Sequence, residues 1–225
     1  MATAKNTAYR VVALDDVKVG PSFFPEGEAA GRERLNVRGD LGITSFGINA
    51  VRIPGAGNLI REHTEIGFGS SGQEELYIVL GGSATFVLDG EEVETPAGSL
   101  VYVRPEVRRS AVASDEGTTL LIVGGTPGEA YEVPPAEAEE AFAAYNAGDF
   151  ETAVEKQRAA VEQVPENLIV LFNLSCFEAR AGKTDDAIEH LTAAVEADSG
   201  VVELARDDTD LDSLREDPRF KELIG

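Results

Sequence analysis

Residues 73–82 have the sequence QEELYIVLGG, and residues 96–105 have the sequence PAGSLVYVRP. Each stretch contains a short run of Val, Ile, Leu and Tyr next to glycine, which predicts a short strand bounded by a turn. Similar apolar runs lie on either side along the chain, at Ile43–Ile53, Ala84–Leu88 and Thr118–Val123. Many short strands at this spacing, without helical patterns between them, predict a β-sandwich or a small β-barrel.

The sequence also predicts a hairpin and one more strand in the β-rich segment. The sequence Leu88-Asp89-Gly90-Glu91 predicts a hairpin, because Asp-Gly readily adopts the positive φ angles that a tight primed turn requires. The run Tyr9–Leu14 predicts an additional strand near the start of the chain.

The composition changes after Pro134-Pro135, from β-branched residues to Ala, Glu and Leu with helical spacing. The sequence GDFETA at 148–153 recurs as GKTDDA at 182–187, an offset of 34 residues. A repeat of this length predicts pairs of antiparallel helices, with each glycine ending the first helix of its pair. We therefore expect two domains, residues 1–133 and residues 134–225.

The 34-residue repeat resembles the tetratricopeptide family. The resemblance implies an interaction module whose first helices line a concave face. In the second repeat that face would present Asn173, Phe177 and Arg180 to a protein partner. The residues from Leu211 onwards are expected to form a short terminal helix that caps the repeat.

The β-rich segment resembles the cupin superfamily in two stretches. The first is REHTE at 61–65 followed by the 73–82 sequence, and the second runs from Asp89-Gly90 through residues 96–105 to Arg109. The expected fold is thus a two-domain protein, with an all-β cupin jelly-roll barrel followed by an all-α tetratricopeptide-type module.

The resemblance implies a site inside the barrel. Metal-binding cupins supply two histidines and a glutamate from the first stretch and a third histidine from the second. Here those places hold His63, Glu65, Glu75 and Arg109. Alternation along the strands turns a set of polar side chains toward the interior. The predicted pocket residues are Arg61, His63, Glu65, Glu75, Tyr77 and Arg109.

Arginine at the last place changes the chemistry that the resemblance implies. A guanidinium has no lone pair for a metal and carries a positive charge of its own. It can instead neutralise the neighbouring carboxylates through hydrogen bonds. We therefore expect a pocket without a metal cofactor, either a salt-bridged interior or a pocket in which Arg61 or Arg109 binds the carboxylate or phosphate of a small anionic ligand.

Two alternatives from other functional classes remain open. The first is a metal-dependent cupin enzyme, a dioxygenase, isomerase or lyase, with His63, Glu65 and Glu75 as ligands of Mn²⁺, Fe²⁺ or Zn²⁺. The second is a structural homodimer that acts as a scaffold. The favoured hypothesis is a small-molecule-binding or sensing domain coupled to a protein-interaction module.

Composition excludes several other classes. The net charge is −22, and residues 134–225 carry 22 acidic against 8 basic residues. Because nucleic-acid binding depends on a basic surface, we expect no nucleic-acid partner. The absence of a long apolar run and the single Cys176 lead us to expect a cytoplasmic protein without a membrane span. Cys176 is expected to be buried, and His190 is expected to face solvent.

Overall fold

A computed structural model describes residues 9–21, 31–67, 70, 72–131 and 133–225. The chain divides into two compact units, which meet in the sequence between Val133 and Pro134. The first unit is a β-sandwich and the second is helical. Within these ranges, no helix combines the length and the apolar character that a membrane crossing requires.

The strands of the first unit form two antiparallel sheets. The strand bounds are β1 Glu33–Leu35, β2 Gly47–Arg52, β3 Gly57–His63, β4 Glu74–Gly81, β5 Ser83–Leu88, β6 Glu91–Pro96, β7 Leu100–Val103, β8 Arg109–Ala113 and β9 Thr119–Gly125. A short helix, α1 (Val37–Leu41), lies between β1 and β2. One sheet has the order β1-β2-β9-β4-β7, and the other has the order β3-β8-β5-β6.

The core of the sandwich is formed by alternate residues of the facing strands. On β4, Tyr77 and Val79 are buried, whereas Leu80 is exposed. Phe86 on β5 packs edge-to-face against Tyr77, with ring centroids 5.2 Å apart. Aromatic pairs in this geometry add about 1 kcal/mol to the free energy gained from burying their surface. This apolar interior fixes the direction in which the polar residues at the ends of the same strands project.

The predicted hairpin is confirmed, and the predicted first strand is wrong. Leu88 pairs with Glu91, and the turn residues Asp89 and Gly90 have φ angles of 48° and 89°. At the start of the chain, Tyr9 and Val11 are largely exposed, and the chain forms a 3₁₀ turn at Leu14–Asp16 instead of a strand. An apolar run alone does not make a strand, because the strand needs a neighbour with which to pair.

The second unit contains two pairs of long helices, followed by shorter ones. The pairs are α2 (Ala136–Asn146) with α3 (Phe150–Gln163), and α4 (Leu168–Arg180) with α5 (Thr184–Ala197). Phe150 and Thr184 begin α3 and α5 and stand 34 residues apart, as the repeat predicts. The tetratricopeptide type of this unit stays a prediction.

Glycines end the first helix of each pair. Gly148 and Gly182 have φ angles of 77° and 74°, which lie in the left-handed region that favours glycine after a helix. The sequence prediction for these two positions is confirmed.

The end of the chain is more divided than the single terminal helix that the sequence predicts. It contains α6 (Val201–Asp207), a 3₁₀ segment (Thr209–Leu214) and α7 (Pro218–Ile224). Leu211, Leu214 and Phe220 are fully buried in the core of the helical unit. Pro218 at the first position of α7 explains the break, because proline cannot continue a preceding helix but fits a helix start.

Candidate functional site

Three strands bring the predicted pocket residues together at one end of the sandwich. His63 ends β3 and pairs in register with Arg109, the first residue of β8. Glu75 is the second residue of β4. Because the side chain of Glu75 approaches both His63 and Arg109, the two sheets contribute to one cluster.

Arg61 is exposed, in contrast to the inward orientation that strict alternation predicts. The pairing of β3 with β8 shifts register between Asn58 and Ile60 and again between Ile60 and His63. Such bulges place two residues of one strand opposite one residue of its partner, so the alternation fails there. Arg61 contributes its carbonyl oxygen to the cluster, where it lies 2.7 Å from Nδ1 of His63.

His63 lies at the centre of the cluster. Its Nε2 atom is 3.3 Å from Oε1 of Glu65 and 3.9 Å from Oε2 of Glu75. The hydrogen bond with Glu65 raises the pKa of His63, and burial opposes the shift. Since the Arg61 carbonyl can only accept, Nδ1 carries a hydrogen, and a neutral imidazole would turn the Nε2 lone pair toward two carboxylates. The arrangement therefore requires a positive or hydrogen-donating species at Nε2.

Glu75 is held by two neighbours that point at the same oxygen. The Tyr77 hydroxyl donates a short hydrogen bond to Oε2 of Glu75, and Nη2 of Arg109 lies 3.4 Å from that oxygen. Burial raises the pKa of Glu75 above its usual value, and the Tyr77 hydrogen bond opposes this. Burial also raises the pKa of Tyr77, so the hydroxyl keeps its proton.

Arg109 is the most deeply buried member of the cluster, with a side-chain exposure of 0%. Nη1 donates to the carbonyl of Pro105 at 3.4 Å, whereas buried Nε and Nη2 have no hydrogen-bond partner among the residues that the structure describes. The guanidinium lies behind Glu75 and supplies a fixed positive charge without reaching solvent. A ligand would have to displace protein atoms to touch it.

Backbone groups complete the cluster, and the sequence gives no signal for them. The Pro105 carbonyl accepts from the backbone N–H of Glu65 at 2.8 Å as well as from Arg109. It thereby links the segment after β3 to the start of β8. Every residue has a carbonyl, so only the fold identifies which one serves this role.

His63, Glu65 and Glu75 are close enough to hold a metal ion by distance alone. One ligand atom from each residue lies within 4.8 Å of the others, among the described residues. An imidazole whose Nδ1 is bonded to a carbonyl and whose Nε2 faces the site is a common metal-ligand arrangement. The guanidinium beside Glu75 opposes it, since it adds a positive charge next to one of the ligands.

The residues predicted to bind a partner lie on α4 of the helical unit. Phe177 is buried and packs against Phe142 and Tyr145, with ring centroids 5.2 and 4.9 Å apart. Its ring is part of the core and has no surface to offer to a partner. Asn173 is half-buried.

Arg180 is exposed, but the helical unit already engages it. Its Nη1 atom bonds to Oδ1 of Asp210 at 2.7 Å and to the Tyr145 hydroxyl at 2.9 Å. A partner that used this guanidinium would compete with both contacts.

Two other positions in this unit test the sequence predictions. Cys176 is buried, as expected, and burial raises the pKa of its thiol. The expectation that His190 faces solvent holds only in part, because its side chain is 30% exposed while its Nδ1 atom lies 2.7 Å from Oε2 of Glu178, a fully buried side chain. Spacing along the sequence does not reveal this pair, because its members lie on different helices.

Comparison with known proteins gives a likeness of fold. No protein-family model and no curated protein matches the chain. One similar solved structure is a sugar phosphate isomerase from Silicibacter pomeroyi that is described as a cupin-superfamily protein. It has 21% identity to this chain and a TM-score of 0.44, and the match covers 55% of this chain and 76% of that one.

Two further structures are similar at the same level. A cupin protein from Bacteroides fragilis has 21% identity and a TM-score of 0.37, covering 52% of this chain and 92% of that one. An RmlC-like cupin from Shewanella frigidimarina has 15% identity and a TM-score of 0.39, covering 57% and 97%. Each of these three structures is a cupin and covers about half of this chain.

Proposed function

We propose that the first unit is a small-molecule-binding domain whose site is the cluster of His63, Glu65 and Glu75, and that it works without a metal ion. The observation that carries the proposal is the convergence of acceptors at Nε2 of His63, with Nδ1 already committed to the Arg61 carbonyl. In the free protein a proton on Nε2 satisfies these acceptors, in agreement with the raised pKa of His63.

Arg109 supports the absence of a metal ion. With His63 protonated, the two positive charges of His63 and Arg109 balance the two carboxylates of Glu65 and Glu75. A divalent ion would have to enter beside a guanidinium that lies 3.4 Å from one of its ligands. The buried guanidinium thus provides the neutralisation that an ion provides in metal-binding relatives.

The same burial affects the class of ligand. The small anionic ligand expected from the sequence needs a cation that it can reach, but the guanidinium of Arg109 has no exposed surface. The groups of the cluster that solvent does reach are the imidazole of His63, which is 33% exposed, and the carboxylates of Glu65 and Glu75, which are 17% and 14% exposed. We therefore propose a ligand that donates hydrogen bonds to carboxylates, through hydroxyl groups or an amine.

Ligand-observed NMR on the full chain tests this proposal with three kinds of probe: neutral polyols, primary amines and carboxylates. We expect polyols or amines to bind, to lose binding in Glu65→Ala, and to keep it in Glu62→Ala. Glu62 is a suited control, since it is a nearby glutamate in β3 whose carboxylate pairs with Arg108 on the surface. Binding by carboxylates alone, unchanged in Glu65→Ala, would overturn the proposal.

The second candidate is a metal-dependent enzyme, favoured by the three ligand atoms within 4.8 Å and by the hydrogen bond at Nδ1 of His63. His63, Glu65 and Glu75 would hold the ion, with Mn²⁺, Fe²⁺ or Zn²⁺ suited to this donor set. A bound ion would polarise an oxygen of the substrate as a Lewis acid. Near one metal per chain after purification without chelator would favour this candidate.

For the second unit we propose a protein-interaction role with a basic partner. Every Lys and Arg side chain of this unit already bonds within it, to an acidic side chain or a backbone carbonyl. The exposed surface therefore presents acidic groups, among them Glu155, Glu162 and Glu203. A surface of this kind attracts positively charged proteins and steers their approach.

Titration of the full chain with a lysine-rich peptide at two salt concentrations tests this role. Binding should weaken as salt rises, because exposed charges are screened. Binding that does not depend on salt would contradict it.

The alternative of a structural homodimer predicts twice the chain mass of 23.9 kDa in sedimentation velocity, and a single species at the chain mass would exclude it.

A further inference from the structure

We propose that Arg158, Glu178 and His190 form a pH-sensitive clasp that joins three helices of the second unit, tight when the imidazole is protonated and weaker when it is neutral. The three residues lie on α3, α4 and α5, respectively. This inference is independent of the site in the first unit.

The clasp is built around a buried carboxylate. The side chain of Glu178 has an exposure of 0%. Its Oε1 atom accepts from Nη2 of Arg158 at 2.6 Å and from Nε at 3.1 Å. Its Oε2 atom lies 2.7 Å from Nδ1 of His190. Each carboxylate oxygen therefore bonds to a different neighbouring helix, so the group ties α3 and α5 to α4.

The charges around His190 show why its protonation matters. Asp186, one turn earlier on α5, lies 2.5 Å from Nη2 of Arg158. With a neutral imidazole, Arg158, Glu178 and Asp186 sum to one negative charge, and protonated His190 brings the group to zero. The hydrogen bond that His190 donates to Glu178 raises the pKa of His190, whereas burial and the charge of Arg158 lower it.

Other elements packed against α5 add little at this point. Glu189 on α5 itself also raises the pKa of His190 through its charge. On α7, Arg219 pairs with Asp185 and Asp217. In the part of the chain that the structure describes, no ion pair reaches His190 from α6, the 3₁₀ segment or α7.

The direction of the pH effect follows from the raised pKa. A group that binds its proton more tightly in the folded state contributes stability that is complete below its unfolded pKa and is lost as pH rises through its folded pKa. Neutral His190 can still donate from Nδ1, so the clasp weakens at high pH without breaking. Local opening of α4 and α5 should therefore become more frequent from mildly acidic to mildly basic pH.

The only cysteine of the chain gives a direct readout of this opening. Cys176 lies on α4, two residues from Glu178, and is 3% exposed. Thiol labelling of the full chain at pH 6 and pH 8.5, divided by the rate for the urea-unfolded chain at the same pH, yields a protection factor. We expect this factor to fall by about 3-fold or more between the two pH values in the unmodified protein.

Two variants separate the clasp from other titrating groups. The protection factor of His190→Gln should not change between pH 6 and pH 8.5. Glu196→Gln is the control, because exposed Glu196 lies on the same helix as His190 but outside the clasp, and it should behave as the unmodified chain. Proton NMR titration of the two histidines in the native chain gives a second measurement, in which the His190 signal should titrate above the model-peptide range. The proposal would be overturned by any of three results. The protection factor of the unmodified chain could stay constant, it could fall equally in His190→Gln, or the His190 signal could titrate at or below the model-peptide range.

Discussion

Replacing Arg109 with methionine tests whether the positive charge of Arg109 stabilises the fold by neutralising the carboxylate of Glu75. The change puts an apolar side chain of comparable length in the interior but removes the guanidinium beside Glu75, which is 14% exposed. The pair is separated by 3.4 Å, which corresponds to an attraction of about 5 kcal/mol at an effective dielectric constant of about 20. Glu75 keeps the Tyr77 hydrogen bond and can take up a proton, so we expect a net loss of about 3 kcal/mol at pH 7.

Urea unfolding followed by tyrosine fluorescence measures this loss, because Tyr9, Tyr77, Tyr102 and Tyr131 lie in the first unit and only Tyr145 lies in the second. For a slope of about 2 kcal/mol per M, the midpoint should fall by about 1.5 M. The loss should be smaller at acidic pH, since protonation of Glu75 removes the unpaired charge.

Two controls make the measurement decisive. Arg108→Met alters the adjacent residue, whose ion pair with Glu62 is exposed, and should cost less than about 1 kcal/mol. In the double variant Glu75→Gln/Arg109→Met, the loss should be clearly smaller than the sum of the two single losses. A loss below about 1 kcal/mol in Arg109→Met, or strict additivity in the double variant, would refute the counter-charge role.

Three further outcomes are expected. Gly82→Ala should lower the free energy of unfolding by more than about 2 kcal/mol in urea titration. Gly82 has a φ angle of 67°, and the new Cβ would lie 2.7 Å from Cα of Thr118. A loss below about 0.5 kcal/mol would show that the turn can relax. Tyr77→Phe should raise the pKa of Glu75 further, as followed by carboxyl ¹³C NMR, since the hydroxyl that stabilises the carboxylate is lost; an unchanged titration would argue against this hydrogen bond. Phe177→Ala should destabilise the helical unit by about 3–5 kcal/mol, measured by circular dichroism at 222 nm, and a loss near zero would restore Phe177 as a candidate surface residue.

The sequence predicts those features of the fold that depend on local patterns. Alternation in β4 and the Asp89-Gly90 turn lead directly to the observed strand and hairpin. Gly148 and Gly182 mark the ends of α2 and α4 for the same reason, because a left-handed position after a helix favours glycine. In these cases the cause lies within a few residues of its effect.

Features that depend on distant parts of the chain could not be predicted in this way. The bulges in β3 that leave Arg61 exposed arise from its register with β8, which no pattern in β3 itself specifies. The contact between His190 and Glu178 joins two helices, and neither neighbourhood in the sequence indicates it. For Arg109 the position in the motif identified a buried charge, but only packing shows that the guanidinium has no exposed surface.

The metal content of the chain tests most directly whether Arg109 and the proton of His63 supply the positive charge that balances the carboxylates of the cluster. The protein is purified without chelator, incubated with Mn²⁺, Fe²⁺ or Zn²⁺, and desalted. Elemental analysis by mass spectrometry should then find little bound metal. Arg109→His, which restores a fourth ligand in place of the cation, should bind one ion per chain. One ion per chain in the unmodified protein, lost in Glu65→Ala, would contradict the account.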